Sequence, residues 1–237
     1  MTFTQSQFDI RCEWGRNGVK QLAPISDVVI IIDILSFSTC IDIATSRGAT
    51  VFPYQWKDES ASRFAKSMNA ELAQKRGGNG YSLSPASLTQ ISRDTQLVLP
   101  SPNGSSLSLA TRKTPTLAGC LRNCRAVALA AMGYGNKIAV IPAGERWEDG
   151  SLRPAFEDLV GAGAIISHLT GSLSLEAQAA ASVFHSTKPN LKTLLKQCGS
   201  GKELIERGFE RDVDLAAELD VSECVPVLVD GAYRQLG

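Results

Sequence analysis

The run Val28-Val29-Ile30-Ile31-Ile32-Asp33, followed at once by Ile34-Leu35-Ser36-Phe37-Ser38-Thr39, decides how the rest of the chain is read. Five consecutive β-branched residues with no polar alternation make the kind of strand that is buried on both faces of a parallel sheet. The run ends on a carboxylate and opens into three hydroxyls. Open α/β sheets bind ligands beyond the carboxyl ends of their strands, so this junction is where chemistry is expected.

Working outward, shorter apolar runs at 96–99, 138–141 and 225–229 recur between helical segments, which is the spacing of β-α units. Ala61, Phe64, Ala65, Met68 and Leu72 follow the i, i+3, i+4, i+7 pattern of an amphipathic helix. Pro154 suits the first turn of another helix, running through Phe156, Leu159, Ala162, Ile166 and Leu169. Gly161 and Gly163 each cost that helix about 1 kcal/mol relative to alanine, which predicts close approach of another backbone or a ligand. Further helices are expected around 175–183, 191–196 and 215–219. With no linker and no internal repeat, residues 1–237 are read as a single three-layer α/β/α domain with a largely parallel or mixed sheet.

Apolar residues are 43% and charged residues 20% of the chain, enough apolar surface to fold without disulfides or a structural metal. Lys plus Arg equals Asp plus Glu at 24 each, so no global field attracts nucleic acid or an anionic membrane, and any anion site must be local. No apolar run approaches the roughly 18–20 residues of a membrane span, and Met1-Thr2-Phe3-Thr4-Gln5-Ser6 lacks a signal peptide's basic and apolar regions; a cytoplasmic location is expected. The six cysteines form no CxxC pair and are read as buried free thiols. His168 and His185 fall in helical contexts without an acidic partner, which leaves a zinc site or a serine-hydrolase triad short of residues.

Three clusters carry chemistry. Asp33 with Ser36 and Ser38 offers a hard oxygen for magnesium, or a cap for the following helix. Pro100-Ser101-Pro102-Asn103-Gly104-Ser105 forms a strand-to-helix turn that aims backbone N–H groups at an anion, or is simply rigid. Glu157-Asp158, early in the glycine-bearing helix, supplies metal ligands or a general base, or answers the helix dipole. No Walker motif or Gly-x-Gly-x-x-Gly follows a strand, and Gly199-Ser200-Gly201-Lys202 lacks both the upstream glycine and the strand.

The order of these clusters resembles the 2-phosphosulfolactate phosphatase family. Val29 to Ile41 is similar to its strand followed by Asp-x-Leu-Arg-Ala-Ser/Thr-Ser/Thr, Gly77 to Pro85 to its glycine-rich stretch ending in Asn-Ser-Pro, and Ser101 to Ser105 to its Thr-x-Asn-Gly-Thr. Leu121-Arg122-Asn123, Ile141-Pro142-Ala143-Gly144, the Glu157-Asp158 to Ala162-Gly163 segment and the tail through Val225-Pro226-Val227 to Asp230-Gly231 continue the likeness in register.

The resemblance implies magnesium-dependent hydrolysis of a small phosphorylated acid, 2-phosphosulfolactate giving sulfolactate. Hydrolysis of phosphate monoesters is slow enough without catalysis that a metal is a natural requirement. On this reading Asp33, Glu157 and Asp158 are catalytic, and Asp33 and Glu157 hold Mg2+. Ser36, Ser38, Ser84, Ser101, Asn103, Gly104, Ser105 and Asn123 line the substrate.

The departures are equally specific. Ser36 and Ser106 stand where the family carries arginines, Leu83 replaces the Asn of Asn-Ser-Pro, and Lys75 and Arg76 are the candidates to restore positive charge. Each lost charged hydrogen bond is worth about 1.5–3 kcal/mol, which predicts weaker handling of a doubly anionic substrate. A haloacid-dehalogenase-type site would need an acid at Leu35. The rival reading is a noncatalytic small-anion-binding or regulatory protein, and either reading leaves room for a homodimer.

Overall fold

In the computed structural model, which describes residues 2–55 and 58–237, every residue of the Val28–Ile32 run is fully buried. After a short 3-10 turn (Thr2–Thr4) come β1 (Ile10–Cys12) and α1 (Gly15–Leu22), then the decisive strand β2 (Val28–Ile32), α2 (Phe37–Ser46) and β3 (Thr50–Tyr54). Next come α3 (Glu59–Ser67), β4 (Glu71–Leu72), the one-turn α4 (Pro85–Leu88), β5 (Gln96–Pro100) and α5 (Gly104–Ala110). They are followed by β6 (Thr116–Gly119), α6 (Cys124–Met132), β7 (Ile138–Pro142), the small hairpin of β8 (Glu145–Arg146) and β9 (Leu152–Arg153), and α7 (Phe156–Ile166). Helices α8 (Leu175–Thr187), α9 (Leu191–Gln197), α10 (Gly199–Glu206) and α11 (Glu210–Ala216) precede the closing strands β10 (Pro226–Val229) and β11 (Ala232–Gln235).

Strand β2 shows why the sheet has helices on both faces. Side chains alternate across a strand. Val28, Ile30 and Ile32 accordingly join a core with Val127 of α6, Ile165 of α7 and Phe184 of α8. Val29 and Ile31 join a second core with Val19 and Leu22 of α1 and Leu107 of α5. Removing one such side chain from water contributes about 1.5–3 kcal/mol, so a run with no polar position commits the strand to the middle layer. The three-layer α/β/α expectation is met.

The sheet order is β1-β7-β2-β6-β10-β11-β3-β5-β4. It is mixed in a particular way. β1, β7, β2 and β6 form one parallel group, and β3, β5 and β4 another. The antiparallel hairpin β10–β11 is wedged between them, pairing with β6 on one side and β3 on the other.

The two glycines of α7 mark close approaches. A Cβ on Gly163 would lie 2.0 Å from the carbonyl oxygen of Ala180 in α8, and one on Gly161 would lie 2.5 Å from Ile34 Cδ1. Gly201 likewise sits against the Leu195 carbonyl inside α10, so the Gly199-to-Lys202 stretch serves helix packing.

Several boundaries differ from expectation. The 61–72 pattern covers two elements: α3 stops before Met68, Asn69 turns at φ 49°, and Leu72 belongs to β4. Leu72 happens to fall in helical phase while packing from a strand. Pro154 lies ahead of α7, whose cap residue is Ala155. The helix expected at 215–219 is instead α11, ending at Ala216, with Asp220 at φ 54° closing the segment. Among the described residues no helix is long and apolar enough to cross a membrane. All six cysteines are free and buried.

Candidate active site

Two helices cross where β2 and β5 end, and one carboxylate caps both. Asp33 Oδ1 accepts the N–H of Phe37, the first residue of α2, at 3.1 Å. Its Oδ2 accepts the N–H of Gly104, the first residue of α5, at 2.9 Å. Five strand-to-strand steps separate β2 from β5, roughly 24 Å in a flat sheet. The direct contact of Asp33 with the first residue of α5 requires the sheet to curl enough to bring the two strand ends together. Gly104 is what permits the crossing: a Cβ there would lie 2.2 Å from Cδ1 of Phe37. Asp33 and the Asn103-Gly104 turn are therefore in direct contact, the proximity that a shared site requires.

The other acids gather around Asp33. Asp158 Oδ1 accepts the Ile34 N–H and its Oδ2 the Gly144 N–H, each at 2.8 Å, which ties α7 to the loops after β2 and β7. Glu157 is buried on the same first turn of α7. Glu145, which sequence reasoning did not single out, accepts a hydrogen bond from Asn103 Nδ2 at 3.0 Å.

Their electrostatics follow from burial without enough countercharge. Asp33 is pushed above the usual carboxylate range by burial and by Glu157, while the Phe37 and Gly104 N–H groups and Arg76 pull the other way. Asp158 is raised well above that range by burial, then by Asp33 and Glu157. Glu145 is raised to about 7, by burial first and the Asp33 charge second.

Among the described residues no three acid, imidazole or thiol groups converge into a closed cation cage. Magnesium does not need one, since it binds through one or two carboxylates and completes its shell with water and substrate phosphate. Glu157 lies near enough for its charge to act on Asp33, so the two carboxylates are the hard-oxygen donors that such an ion would use.

The expected substrate residues divide in two. Ser38 donates to the Ile31 carbonyl and accepts the Asp33 N–H, and Ser105 donates to the Leu99 carbonyl; both are fully buried. Asn123 spends its amide on Cys120, Ala118 and Cys224 backbone groups, also fully buried. These three side chains secure strand-to-helix turns and have no group left to offer a substrate. Asn103 and Gly104 line the crossing as described. Ser101 is buried with its N–H on the Tyr54 carbonyl, and Ser84 donates to Asp212 Oδ1 at 2.6 Å.

The positions of the absent arginines are not without positive charge. Arg76 Nη2 donates to Ser36 Oγ at 3.2 Å, whereas Lys75 is exposed. Ser106 lines a cavity of about 390 Å³ that also receives Arg16, Arg146, Asn103 and Glu145. Arg76 is one of the two replacement charges expected from the sequence, whereas no pattern along the chain signals that Arg16 and Arg146 gather near Ser106.

Comparison with known sequences places the chain among phosphatases. A probable 2-phosphosulfolactate phosphatase of Carboxydothermus hydrogenoformans is 30% identical over 206 residues, 84% of each chain. The 2-phosphosulfolactate phosphatase of Methanothermobacter thermautotrophicus is 29% identical over 209 residues, 87% of this chain and 88% of its own. A probable 2-phosphosulfolactate phosphatase of Synechococcus sp. (strain JA-2-3B'a(2-13)) is 31% identical over 218 residues, 85% of this chain and 88% of its own. A family model matches residues 17–231, and the chain belongs to the 2-phosphosulpholactate phosphatase family.

Proposed function

We propose that this protein hydrolyses 2-phosphosulfolactate or a closely similar phosphorylated acid, with Mg2+ bound between Asp33 and Glu157. The observation that carries the reading is the Asp33 carboxylate, fixed by N–H groups of two helices that start in different parts of the sheet. Bound there, Mg2+ would neutralise charge on the phosphoryl oxygens. The Ser101–Ser105 turn supplies the phosphate contacts through Ser101 and Asn103, the Gly104 N–H being held by Asp33. Glu145, facing the same turn through Asn103, is the acid placed to exchange a proton with substrate or water. Asp158 has both oxygens on backbone N–H groups and acts by holding the Ile34 and Gly144 loops in place. Membership of a phosphatase family favours turnover over the noncatalytic alternative.

The test is phosphate release from 2-phosphosulfolactate and a panel of phosphorylated hydroxy acids. Release is expected with Mg2+ and background release with EDTA. No release from any of them would overturn the reading.

A further inference from the structure

Arg76 lies in the loop after β4, yet its guanidinium is held at the start of α2. Its side chain is 11% exposed, Nη1 is paired with Asp212, and the guanidinium carbon lies 5.3 Å from the centre of the Phe209 ring. Asp212 is itself fixed, accepting Ser84 Oγ–H at 2.6 Å and the Ala86 N–H at 2.9 Å. The arginine is thus pre-positioned from behind, and its Nη2 reaches forward to Ser36 Oγ at 3.2 Å.

Ser36 precedes Phe37, whose N–H holds Asp33 Oδ1, while Gly104 holds Oδ2. The phosphate turn thus touches Asp33 through Gly104, while Arg76 is held on the residue before Phe37, near enough for its charge to act on Asp33. A guanidinium carries five N–H donors, and Asp212 and Ser36 are its hydrogen-bond partners among the described residues, so it keeps donors for an oxyanion.

We propose that Arg76 is the specificity-determining contact for the acid group of the substrate, its carboxylate or sulfonate, while the Ser101–Ser105 turn takes the phosphoryl group. The enzyme would then select phosphorylated acids over phosphorylated neutral alcohols. This rests on the phosphatase reading above for its substrate class, but the binding test below needs no turnover.

Two measurements on Arg76→Met test it. The first is the ratio of kcat/KM for 2-phosphosulfolactate to that for glycerol 2-phosphate, which has no acid group beyond the phosphate. The ratio is expected to fall by about tenfold to a hundredfold, chiefly through KM for the acid, the effect of one charged hydrogen bond. An equal loss on both esters, as a purely structural ion pair would give, overturns the proposal.

The second is calorimetric binding of sulfolactate and of lactate. Sulfolactate binding by wild type and its loss in Arg76→Met are expected. A parallel loss for lactate identifies the carboxylate as the contacted group, and a loss confined to sulfolactate identifies the sulfonate. Sulfolactate binding that ignores the substitution, or is absent in wild type, overturns the proposal. Arg76-dependent binding in a protein without phosphatase activity would leave it standing while the catalytic reading fails. Since Arg76→Met strands the buried Asp212, Arg76→Met/Asp212→Asn is measured beside it, and Arg76→Lys, which keeps the charge, is expected to restore part of the affinity.

Discussion

Asp33 and Gly104 are each required twice over. Asp33 caps two helices and stands in the acid cluster, and Gly104 supplies both a cap donor and the space in which the helices cross. Gly104→Ala puts a methyl group into the Phe37 ring, and overpacking of this kind costs about 1–3 kcal/mol, roughly 2–12 °C of Tm in a chain of this size. The displaced N–H would also leave Asp33 Oδ2, so activity is expected to fall with stability. Calorimetric melting checks the first part, and an unchanged Tm would mean that the crossing is looser than these contacts require.

Glu145 sets a pH dependence. Its folded value, raised to about 7 by burial and then by Asp33, lies above the ordinary 4.5, so the folded state holds its proton more tightly than the unfolded chain does. The stabilisation is present in full below about 4.5 and is lost as pH rises through about 7. Melting measured in EDTA across pH 4–8 should therefore show a decline that Glu145→Gln flattens. Parallel curves for the two proteins would contradict the assignment.

Among the elements, β2 was legible because a strand buried on both faces has no polar residue to disguise it. Strands β3 and β6 were not. β3 contains Pro53, and β6 is four residues ending in Gly119, whose absent Cβ makes room for Ile165 Cδ1. The α7 glycines were readable as close approaches because glycine is costly inside a helix, although nothing local named Ala180 or Ile34 as the neighbours.

The site divides along the same line. The strand-end clusters were visible, and the joining of Asp33 to a turn 71 residues away was anticipated from topology. Glu145 was not visible, and Arg76 was named as a replacement charge without its partner, since each is fixed by a contact to a segment about forty residues distant.

One ion pair shows how the tail holds α2. Buried Asp42 accepts Arg122 Nε–H at 2.8 Å and Ser222 Oγ–H at 2.6 Å, and Arg122 also pairs with Glu218. Arg122→Met strands the Asp42 charge and should cost about 3–5 kcal/mol by denaturant melting. Asp42→Asn/Arg122→Met should recover much of the loss. A single variant as stable as wild type would show that Ser222 alone compensates Asp42.

At the scale of the whole molecule, the β10–β11 hairpin joins two parallel groups of strands, and each group delivers one side of the site: Asp33 from the β2 end, Asn103 and Gly104 from the β5 end. The site is thus a property of the assembled sheet rather than of any one β-α unit. The claim on which the account rests is that the carboxylate at their meeting point carries the chemistry as well as the caps. Asp33→Asn keeps the side chain's size and one acceptor oxygen but removes the charge that a cation and the reaction require. The measurement is the rate of phosphate release from 2-phosphosulfolactate in saturating Mg2+ by Asp33→Asn and wild type, both confirmed folded by melting. A fall of about a hundredfold or more in the folded variant is predicted, the range lost with a positioned catalytic group. A folded Asp33→Asn protein that releases phosphate at the wild-type rate would contradict it, leaving Asp33 as a helix cap and nothing more.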